Sequence, residues 1–588
     1  MDCDPAGGPQ ELIRRVVVQS LAAQALRQLR MVRVLASAGV IRPYSPSTLL
    51  RIALTTYRWG MGFAAGIGAL AIRSPRDIGL VDEIGELTWA QVDDRATRLA
   101  HGLQELGVRE GDSVAVLCRN HRYFLDASAA LSRLAADTLY LNTAFSAPQL
   151  AEVCRREGPT AIIYDEEFTD VVDKARIGVP RVVAWHPGGT SAVGGVPLVE
   201  ELIENGSSEP HRVPGRTTRS IILTSGTTGA PKGARPGEAR LDGAVDLLSK
   251  MPLRTGGTTH IAAPLFHTWG WAHLNLAMLL GSRVVLRRTF DPVECLQTIE
   301  RYDVDALVVV PVMLQRILRL AEDQRSGDCS GLHVVASSGS ELPGDLATEW
   351  MDAFGDNLYN IYGSTEVAWA TIAQPRDLRA APGTAGRAPY NTRVRILDAA
   401  GNEVAEGESG RIFVGNIMLF GGYTGEQAES KELVDGLMAS GDVGRLDSHA
   451  RLFVEGRDDE MIISGGENVF PREVEDCLAR HRDVAAAAVV GVDDEEYGKR
   501  LRAFVVANGD VPAGELREVL SAHVRDNLAR YKVPREIMFV EELPRNPTGK
   551  VLKRELESSG AELGTPARSE RVGWHDDAHD SVDRRQGP

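Results

Sequence analysis

Residues 224–237, TSGTTGAPKGARPG, contain the residue types that bind phosphate. Glycine lets backbone N–H groups converge on an anion, and Ser and Thr add hydroxyl donors. Lys232 adds a cation suited to a polyphosphate. The stretch departs from the loop G-x-x-x-x-G-K-[ST], because Pro231 precedes Lys232 and Gly233 follows it. The residues therefore predict either a phosphate-binding loop or a solvated loop rich in small residues.

Other stretches also carry residue types suited to catalysis. PLFHTWG (264–270) places a histidine beside aromatic residues, and YGSTEVAW (362–369) combines hydroxyl groups with a carboxylate. SGDVGRLD (440–447) holds an aspartate at a glycine-flanked turn. GRDDEMIISGGENVFPREVE (456–475) and PRNPTGKVLKR (544–554) follow near the end of the chain.

Two of these residues have an ordinary structural interpretation as well. A histidine among Phe266, Trp269 and Trp271 is typical of a packed core. A lysine near Lys553 and Arg554 is typical of a solvated surface. Taken singly, His267 and Lys550 would not indicate a site.

The elements that must position these motifs alternate between strand and helix. Short β-branched runs lie near helix-like segments, which predicts mostly parallel sheets covered by helices; the runs are 112–118, 160–165, 181–185, 220–224 and 333–337. After residue 390, the segments 392–398, 410–416 and 450–456 predict antiparallel strands. A small α/β domain is expected from about Met461, and the polar residues 566–588 are expected to be disordered.

Length, charge and cysteine usage narrow the class of protein. A chain of 588 residues and 63.6 kDa should hold two or more domains. The net charge of −16 argues against a nucleic-acid-binding protein. Six cysteines without a C-x-x-C pair indicate reduced, structural thiols in a cytoplasmic protein. The N-terminus is acidic rather than secretory, and the apolar run 60–72 is too short to span a bilayer.

The first 60 residues differ from the rest, because they carry eight Arg against three acidic residues, a net charge of +5. An apolar stripe at three- and four-residue steps predicts an amphipathic helix, formed by Val18, Leu21, Ala25, Leu29, Val32 and Ala36. Arg15, Arg27, Arg30 and Arg33 are then expected on the opposite side. The helix either packs on the main domain with a solvated basic face or lies on a membrane surface.

In this order and spacing, the motifs resemble those of the adenylate-forming superfamily, which includes acyl-CoA synthetases, firefly-type luciferases and peptide synthetase adenylation domains. The resemblance covers residues 76–556. It implies an α/β fold with a large N-terminal domain (76–456) of two α/β subdomains plus a small β-barrel, a hinge (457–460), and a small mobile α+β C-terminal domain (461–560). The implied reaction converts a carboxylate and ATP to acyl-AMP, which then acylates coenzyme A.

The resemblance also implies the nucleotide site. The phosphate cradle would be Thr224, Ser225, Gly226, Thr227, Thr228, Gly229 and Lys232. The residues against adenine and the adjoining phosphates would be Gly339, Ser340, Glu341, Tyr362, Gly363 and Ser364. Asp442 and Arg457 would bind the ribose, Thr365 the α-phosphate, and Glu366 a Mg2+ ion through oxygen.

The remaining roles concern the acid, the hinge and coenzyme A. Lys550, at the turn Pro547-Thr548-Gly549, would bridge the carboxylate and the α-phosphate. Asp459 would be the pivot between two half-reactions, and Gly465 and Gly466 would line the pantetheine channel. His267 would gate the acid pocket, whose expected walls are Trp269, His273, Met313 and residues 336–340.

The N-terminal extension (1–75) resembles that of actinobacterial long-chain acyl-CoA synthetases, which favours a medium- or long-chain fatty acid. Two alternatives remain: a fatty acyl-AMP ligase that loads a carrier protein, and an inactive relative that serves as a binding protein. Every catalytic position above is occupied, and no carrier domain is recognised after Lys550. The expected partners are the acid and, through residues 1–60, anionic lipid at the inner face of the membrane. No nucleic acid and no obligate protein partner are expected.

Overall fold

The computed structural model describes residues 27–60, 62–187, 194–224, 232–234, 241–325, 327–364, 366–419, 431–464, 467–494, 498–509, 512–547 and 549–562. Of Thr224, Lys232 and Asp459, only the backbone is described.

Helices and strands alternate along the chain. The first part holds α1 (27–37), α2 (Pro46–Trp59), α3 (Phe63–Arg73), β1 (Ile78–Asp82), β2 (Gly85–Thr88), α4 (Trp89–Glu105), β3 (Ser113–Leu117), α5 (Arg122–Leu134), β4 (Asp137–Tyr140), α6 (Ala147–Glu157), β5 (Ala161–Tyr164), α7 (Thr169–Ala175), β6 (Arg181–Val183), α8 (Val199–Asn205), β7 (Ser220–Thr224) and β8 (Lys232–Ala234). The middle holds α9 (Leu241–Lys250), β9 (Thr258–Ile261), α10 (Thr268–Leu280), β10 (Arg283–Val285), α11 (Pro292–Tyr302), β11 (Ala306–Val309), α12 (Pro311–Leu318), β12 (Val334–Ser337), α13 (Gly344–Phe354), β13 (Leu358–Ser364), β14 (Ala368–Ala373) and α14 (Pro375–Ala380).

The last part holds mostly antiparallel strands and three helices. Its elements are β15 (Arg393–Leu397), β16 (Gly410–Gly415), β17 (Leu433–Val434), β18 (Leu437–Leu446), β19 (Leu452–Arg457), β20 (Ile462–Ser464), β21 (Glu467–Val469), α15 (Pro471–Ala479), β22 (Val484–Asp494), β23 (Gly498–Ala507), α16 (Ala513–Asn527), β24 (Glu536–Phe539) and α17 (Lys553–Glu562). Short 3₁₀ turns lie at Glu166–Phe168, Glu322–Arg325, Asp458–Glu460 and Arg530–Lys532.

Two largely parallel sheets form the centre of the large unit. One has the order β6-β5-β3-β4-β7-β8, and the other has the order β14-β13-β12-β11-β9-β10-β1-β2. Only the edge pairs β7–β8, β1–β2 and β13–β14 are antiparallel. Strands such as β5 (AIIY) and β11 (ALVV) are buried at every residue, because a parallel sheet covered on both faces requires continuous apolar runs.

Helix α5 is buried along its whole length, so its charged side chains need partners. Arg122 pairs with Asp82, and Asp126 pairs with Arg95 at 2.8 Å. Arg133 pairs with Asp93. These ion pairs allow a polar helix to lie in the core.

A five-stranded antiparallel sheet follows, with the order β15-β16-β18-β17 and β19 beside β18. Contacts divide the chain into two units. The first comprises Met1–Met461 together with Arg545–Lys550, and the second comprises Ile462–Pro544 and the residues from Val551. The second unit has its own sheet, ordered β21-β20-β23-β22 with β24 beside β23, and its own apolar core.

The predicted N-terminal helix is present over 27–37, but the part of its predicted apolar stripe that the structure describes was wrong; Val18, Leu21, Ala25 and Arg15 lie outside the described residues. Leu29 and Val32 are 66% and 49% exposed, and Ala36 is exposed too. Leu35 and Ala38 are buried instead, in a cluster with residues of α9, α10 and the eight-stranded sheet. The predicted outward face is also partly engaged, because Arg27 pairs with Asp242 at 3.5 Å and Arg30 stacks on Tyr390.

Helix α2 has no buried residue and exposes Leu49, Leu50, Leu54 and Tyr57. Helix α3, by contrast, packs in the main core through Phe63, Ile67 and Leu70. Among the described residues, none of the helices has the length and apolar character needed to cross a bilayer.

Candidate active site

Several of the residues predicted to act follow the carboxyl ends of neighbouring parallel strands. Strands β9, β11, β12 and β13 are consecutive and parallel in the eight-stranded sheet. His267 follows β9, Gly339 to Glu341 follow β12, and Tyr362 to Ser364 end β13. Because parallel strands end at one edge, these residues share that edge, where open α/β sheets bind ligands.

The connection between β13 and β14 is unusually tight. A Cβ on Gly363 would lie 1.8 Å from the Ala368 carbonyl oxygen, so only glycine fits there. The Ser364 Oγ accepts bonds from the backbone N–H groups of Glu366 at 3.3 Å and Val367 at 3.4 Å. This holds the half-buried Glu366 at a fixed turn. Thr365 lies outside the described residues.

Tyr362 and Asp442 form the best-defined polar contact of the site. The Tyr362 hydroxyl donates to Asp442 Oδ2 at 2.5 Å, and the Asp442 backbone N–H donates to Ser440 Oγ at 3.1 Å. Arg457, paired with Asp442 across β18 and β19, places its Nε 3.7 Å from Asp442 Oδ1. The eight-stranded sheet and the antiparallel sheet are thus joined at this carboxylate.

Burial raises the pKa of the Asp442 carboxyl above its usual range. The Tyr362 hydrogen bond opposes that rise, followed by the charges of Arg457, Lys550 and Lys431. Burial and the same carboxylate raise the pKa of Tyr362 well above its ordinary value. Tyr362 therefore remains a hydrogen-bond donor, and Asp442 sits among three cations.

His267 is the N-cap residue of α10 and packs against Phe266. Its Nε2 is buried and has no hydrogen-bond partner. Burial lowers the pKa of His267 to about 4, so the imidazole is neutral near pH 7.

Asn120 holds the segment that leads to His267. Its Nδ2 donates to the carbonyls of Ile261 at 3.2 Å and Ala263 at 2.9 Å, while its Oδ1 accepts from the N–H of Leu265 at 2.9 Å. All three bonds are buried and link the β3–α5 connection to the β9–α10 connection. Asn120 is therefore a positioning residue between the two parallel sheets.

The phosphate-loop motif spans the β7–β8 hairpin. Thr224 and Lys232 face each other in the pairing register, at the edge of the six-stranded sheet. Ser225, Gly226, Thr227, Thr228 and Gly229 lie outside the described residues. The structure thus places the two ends of the predicted cradle together.

Lys550 lies at a turn that belongs, by its contacts, to the first unit. Gly549 has φ +80°, and a Cβ there would lie 2.7 Å from Val312 Cγ1 at the start of α12. The turn is closed by bonds from the backbone N–H of Lys550 to Asn546 Oδ1 and from Asn546 N–H to the Lys550 carbonyl, both 2.9 Å. Lys550 itself is exposed.

The expected pivot, Asp459, lies in the 3₁₀ turn Asp458–Glu460, two residues before the boundary between the units. Arg411 Nε contacts the neighbouring Asp458 at 3.2 Å. Gly465 and Gly466 lie outside the described residues, between the paired Ser464 and Glu467.

Two of the expected pocket walls, His273 and Ala336, line one cavity between α10 and strands β9, β11 and β12. The cavity has about 10 Å³ of free volume, and its lining is apolar except for Thr259 and His273. His273 Nδ1 lies 3.2 Å from the Trp269 carbonyl, while its Nε2 is buried without a partner. Trp269 and Met313, expected as further walls, are not among the lining residues.

Motif reasoning missed three residues of this site: Asn120, Lys431 and Ser440. Ser440 lies within the quoted motif SGDVGRLD, but the motif does not show that its hydroxyl accepts a hydrogen bond from the Asp442 backbone N–H. Lys431 comes from a segment that carries no motif. An asparagine just after the predicted strand 112–118 was the available signal for Asn120.

Comparison with known proteins gives matches along most of the chain. A family model described as AMP-binding enzyme matches residues 70–424, and its C-terminal domain model matches residues 473–550. Feruloyl-CoA synthase of Amycolatopsis sp is 34% identical over 84% of this chain and 98% of that protein. Indoleacetate–CoA ligase of Aromatoleum aromaticum is 32% identical over 83% of this chain and 94% of that protein. Fatty acid–[acyl-carrier-protein] ligase ScoC of Streptomyces coeruleorubidus is 29% identical over 80% of this chain and 91% of that protein.

Solved structures of CoA ligases are also similar to this chain. The o-succinylbenzoate CoA synthetase MenE from Bacillus subtilis, in complex with its acyl-adenylate intermediate, is similar with a TM-score of 0.72 and 27% identity, over 84% of this chain and 97% of that chain. The anthranilate CoA ligase AuaEII with anthranoyl-AMP has a TM-score of 0.76 and 25% identity, over 85% of this chain and 97% of that chain. These likenesses confirm the predicted α/β fold with a large first domain and a small last domain.

Proposed function

This chain belongs to the AMP-binding enzyme family, as an AMP-forming acid–CoA ligase, and from that premise we propose that its acid is a medium- or long-chain fatty acid. The enzyme activates a carboxylic acid with ATP to an acyl-adenylate and then transfers the acyl group to coenzyme A. The observation that carries the fatty-acid proposal is the apolar layer between α10 and strands β9, β11 and β12, which contains the small cavity lined by His273 and Ala336. Among the relatives, ScoC is named for a fatty acid, whereas two others are named for aryl acids.

We propose that Asp442 accepts hydrogen bonds from both ribose hydroxyls of ATP. Tyr362 and Arg457 hold the carboxylate from two sides, so its orientation is fixed before the nucleotide arrives. Gly339, Ser340 and Glu341, beside Tyr362 to Ser364, would then lie against the adenine and the adjoining phosphates. Gly339 has φ +91°, a conformation suited to a close backbone approach.

The phosphates would be bound by residues 224–229 with Lys232, with Thr365 at the α-phosphate and Glu366 as the Mg2+ ligand. A single carboxylate fixed at a tight turn fits this ion, which keeps several waters and takes one or two carboxylates plus substrate phosphates. When bound, Mg2+ would offset the negative charge of the phosphates. The chain's own contribution is the Ser364 hydroxyl, which fixes the turn that carries Glu366.

Lys550 would bridge the acid carboxylate and the α-phosphate while charge builds between them. Its charge already acts on the Asp442 carboxyl, which supports a position near the nucleotide edge. His267, neutral and unpartnered at Nε2, would contact the acid as the gate of its pocket.

For the second half-reaction we propose that the small domain turns about Asp459. Gly465 and Gly466 would then line the channel for the pantetheine arm of coenzyme A. The domain limits proposed for this motion are 76–456, the hinge 457–460, and 461–560.

A pyrophosphate-release screen over straight-chain and aryl acids, with and without coenzyme A, tests the proposal. We expect release to be fastest with medium- or long-chain acids, and acyl-CoA to form when coenzyme A is present. The screen is repeated at several Mg2+ concentrations with the wild type and Glu366→Ala, which should need more Mg2+. A preference for aryl acids would contradict the fatty-acid proposal, and an unchanged Mg2+ titration would contradict the metal assignment.

A second candidate function, favoured by the likeness to ScoC, is transfer of the acyl group to a carrier protein. The same screen separates it from the first. Acyl-AMP that accumulates in the presence of coenzyme A, but is consumed by an acyl carrier protein, would support the carrier reaction.

We also propose that the enzyme associates peripherally with anionic lipid through the N-terminal residues 1–60. Residues 12–76 contain ten Arg and no carboxylate. Seven of the fourteen large apolar side chains exposed in the described part of the chain lie between Leu29 and Tyr57. Because Arg27 and Arg30 contact Asp242 and Tyr390, the other arginines and the apolar face of α2 would supply the expected binding.

A further inference from the structure

The N-terminal segment 27–42 packs against the apolar layer between α10 and the eight-stranded sheet, which on the proposed function would hold the tail of the acid. Leu35 and Ala38 are 7% and 5% exposed. They share one buried cluster with Leu276 and Leu280 of α10 and with Ala336 of β12. Three of these five residues, Leu276, Leu280 and Ala336, also line the cavity described above.

Helix α10 runs along this layer from one end to the other. It starts next to His267 at the nucleotide edge and ends at Leu280. At 1.5 Å per residue, the thirteen steps from His267 to Leu280 span about 20 Å. His273, which borders the cavity, lies six residues from His267, or about 9 Å along the helix. The cavity therefore lies along the second half of α10, from His273 to Leu280.

The N-terminal segment is fixed at that far end by backbone hydrogen bonds. The Thr255 N–H donates to the Ala38 carbonyl at 2.9 Å, and the next residue, Gly256, donates to the Leu280 carbonyl at 3.3 Å. Arg42 donates to the Thr255 hydroxyl as well. Leu35 and Ala38 are thus held against the end of α10 that is remote from His267.

We propose that Leu35, supported by Ala38, is the far wall of the acid pocket and limits the length of the acid that the enzyme accepts. The inference rests on the proposed function. A tail that enters beside His267 and runs along α10 passes the cavity and then meets the cluster that contains Leu35. The unpartnered Nε2 of His273 supports an occupant, since a buried nitrogen is rarely left without a partner. The free volume of about 10 Å³ accommodates about one water, which a longer tail would displace.

The test measures kcat/KM for pyrophosphate release with straight-chain acids of increasing length. Leu35→Ala should raise the ratio of kcat/KM for the longest acid to that for the shortest by about tenfold or more, since one methylene in an apolar pocket is worth that much. Leu29→Ala is the matched control, because Leu29 lies on the same helix but is 66% exposed. Leu35→Phe should change the ratio in the opposite direction, and it keeps the test valid if Leu35→Ala does not fold.

Each outcome decides the matter. A folded Leu35→Ala enzyme with the wild-type ratio, or with kcat/KM reduced equally for every length, would overturn the inference. A change in ratio with Leu29→Ala equal to that with Leu35→Ala would do the same. If the wild type activates no straight-chain acid at all, the proposed function fails first, and that result is recognised before any variant is compared.

Discussion

Lys550 is the side chain whose replacement should separate the two half-reactions. We expect Lys550→Ala to lower the rate of acyl-AMP formation by about 10²-fold or more, because a cation that stabilises transition-state charge is lost. Thioesterification of supplied acyl-AMP should stay near the wild-type rate. The measurement is single-turnover formation and consumption of acyl-AMP. Equal losses in both steps would show that Lys550 does not act in adenylation alone.

Asp246 of α9 offers a test of electrostatics away from the reacting atoms. Burial raises its pKa from 3.8 to about 6, although Asn391 donates to Oδ1 from its backbone N–H at 3.1 Å and from Nδ2 at 2.9 Å. The folded state therefore binds more protons than the unfolded state between pH 3.8 and about 6, so this carboxyl favours folding at low pH and loses that contribution as pH rises through 6.

Asp246→Asn removes this titration and keeps an acceptor for Asn391. The wild type should lose on the order of 3 kcal/mol of unfolding free energy from this group between pH 4 and pH 7. The free energy of unfolding, measured with urea at several pH values, should therefore decrease less between pH 4 and pH 7 for the variant than for the wild type. The same dependence on pH in both proteins would mean that folding does not raise the pKa of Asp246.

The turn Asn546–Lys550 shows how an element presents a functional side chain. Gly549 has φ +80°, and a Cβ would come within 2.7 Å of Val312 Cγ1, so Gly549→Ala must shift the turn. We expect adenylation to fall by about tenfold to 10²-fold with little change in thioesterification, since small misplacements of a catalytic group have large effects. Gly514→Ala is the control, because a Cβ there meets nothing within 4 Å. A Gly549→Ala enzyme with normal adenylation would mean that Lys550 tolerates displacement.

The 3₁₀ turn Asp458–Glu460 gives a second test at this scale. A 3₁₀ turn has φ near −60°, which proline matches, so Asp459→Pro should permit the present arrangement and restrict others. We expect acyl-AMP to accumulate while acyl-CoA formation falls, measured by the ratio of the two products over time. Asp459→Ala, which leaves φ unrestricted, is the control. Wild-type acyl-CoA turnover in the proline variant would place the pivot elsewhere.

Elements also show where sequence reasoning succeeds and where it fails. His267, Tyr362 and Asp442 were named from the resemblance of their motifs to those of a family, and the structure brings the hydroxyl of Tyr362 and the carboxylate of Asp442 into one hydrogen bond. Helix α1 was given the wrong apolar face. Its residues Leu29 and Val32 recur at helical spacing, but Met31, Val34 and Leu35 do so equally well. With apolar residues on both sides, periodicity cannot choose, and contact with the distant α10 decided the orientation. Asn120 was missed for the same reason, because its partners Ile261 and Ala263 are remote in sequence.

At the scale of the whole molecule, the exposed face of α2 predicts how the enzyme meets lipid. Leu50, Leu54 and Tyr57 are 61%, 56% and 89% exposed on one side of the helix. Leu50→Asp with Leu54→Asp should reduce co-sedimentation with anionic vesicles several-fold, while activity on short, dispersed acids stays unchanged. Leu433→Asp is the matched control, because Leu433 is 60% exposed on β17.

The salt dependence of this binding distinguishes its causes. Binding through the apolar face should survive moderate salt, whereas binding through arginines alone should not. Full-strength binding by the double variant would show that α2 is not the contact, and the membrane proposal would then fail for this face.

The position of the Lys550 turn in the sequence has a consequence for how the enzyme is made. The first unit is interrupted by Ile462–Pro544 before Arg545–Lys550 complete it. At about 5–20 residues per second, a ribosome that has finished Met461 needs roughly 4–18 s more to reach Lys550. During that interval the growing chain contains His267, Tyr362 and Asp442 but not the lysine. On the role proposed for Lys550, a nascent or prematurely stopped chain would lack the cation needed for adenylation, so the first turnover would wait until the small domain has been made.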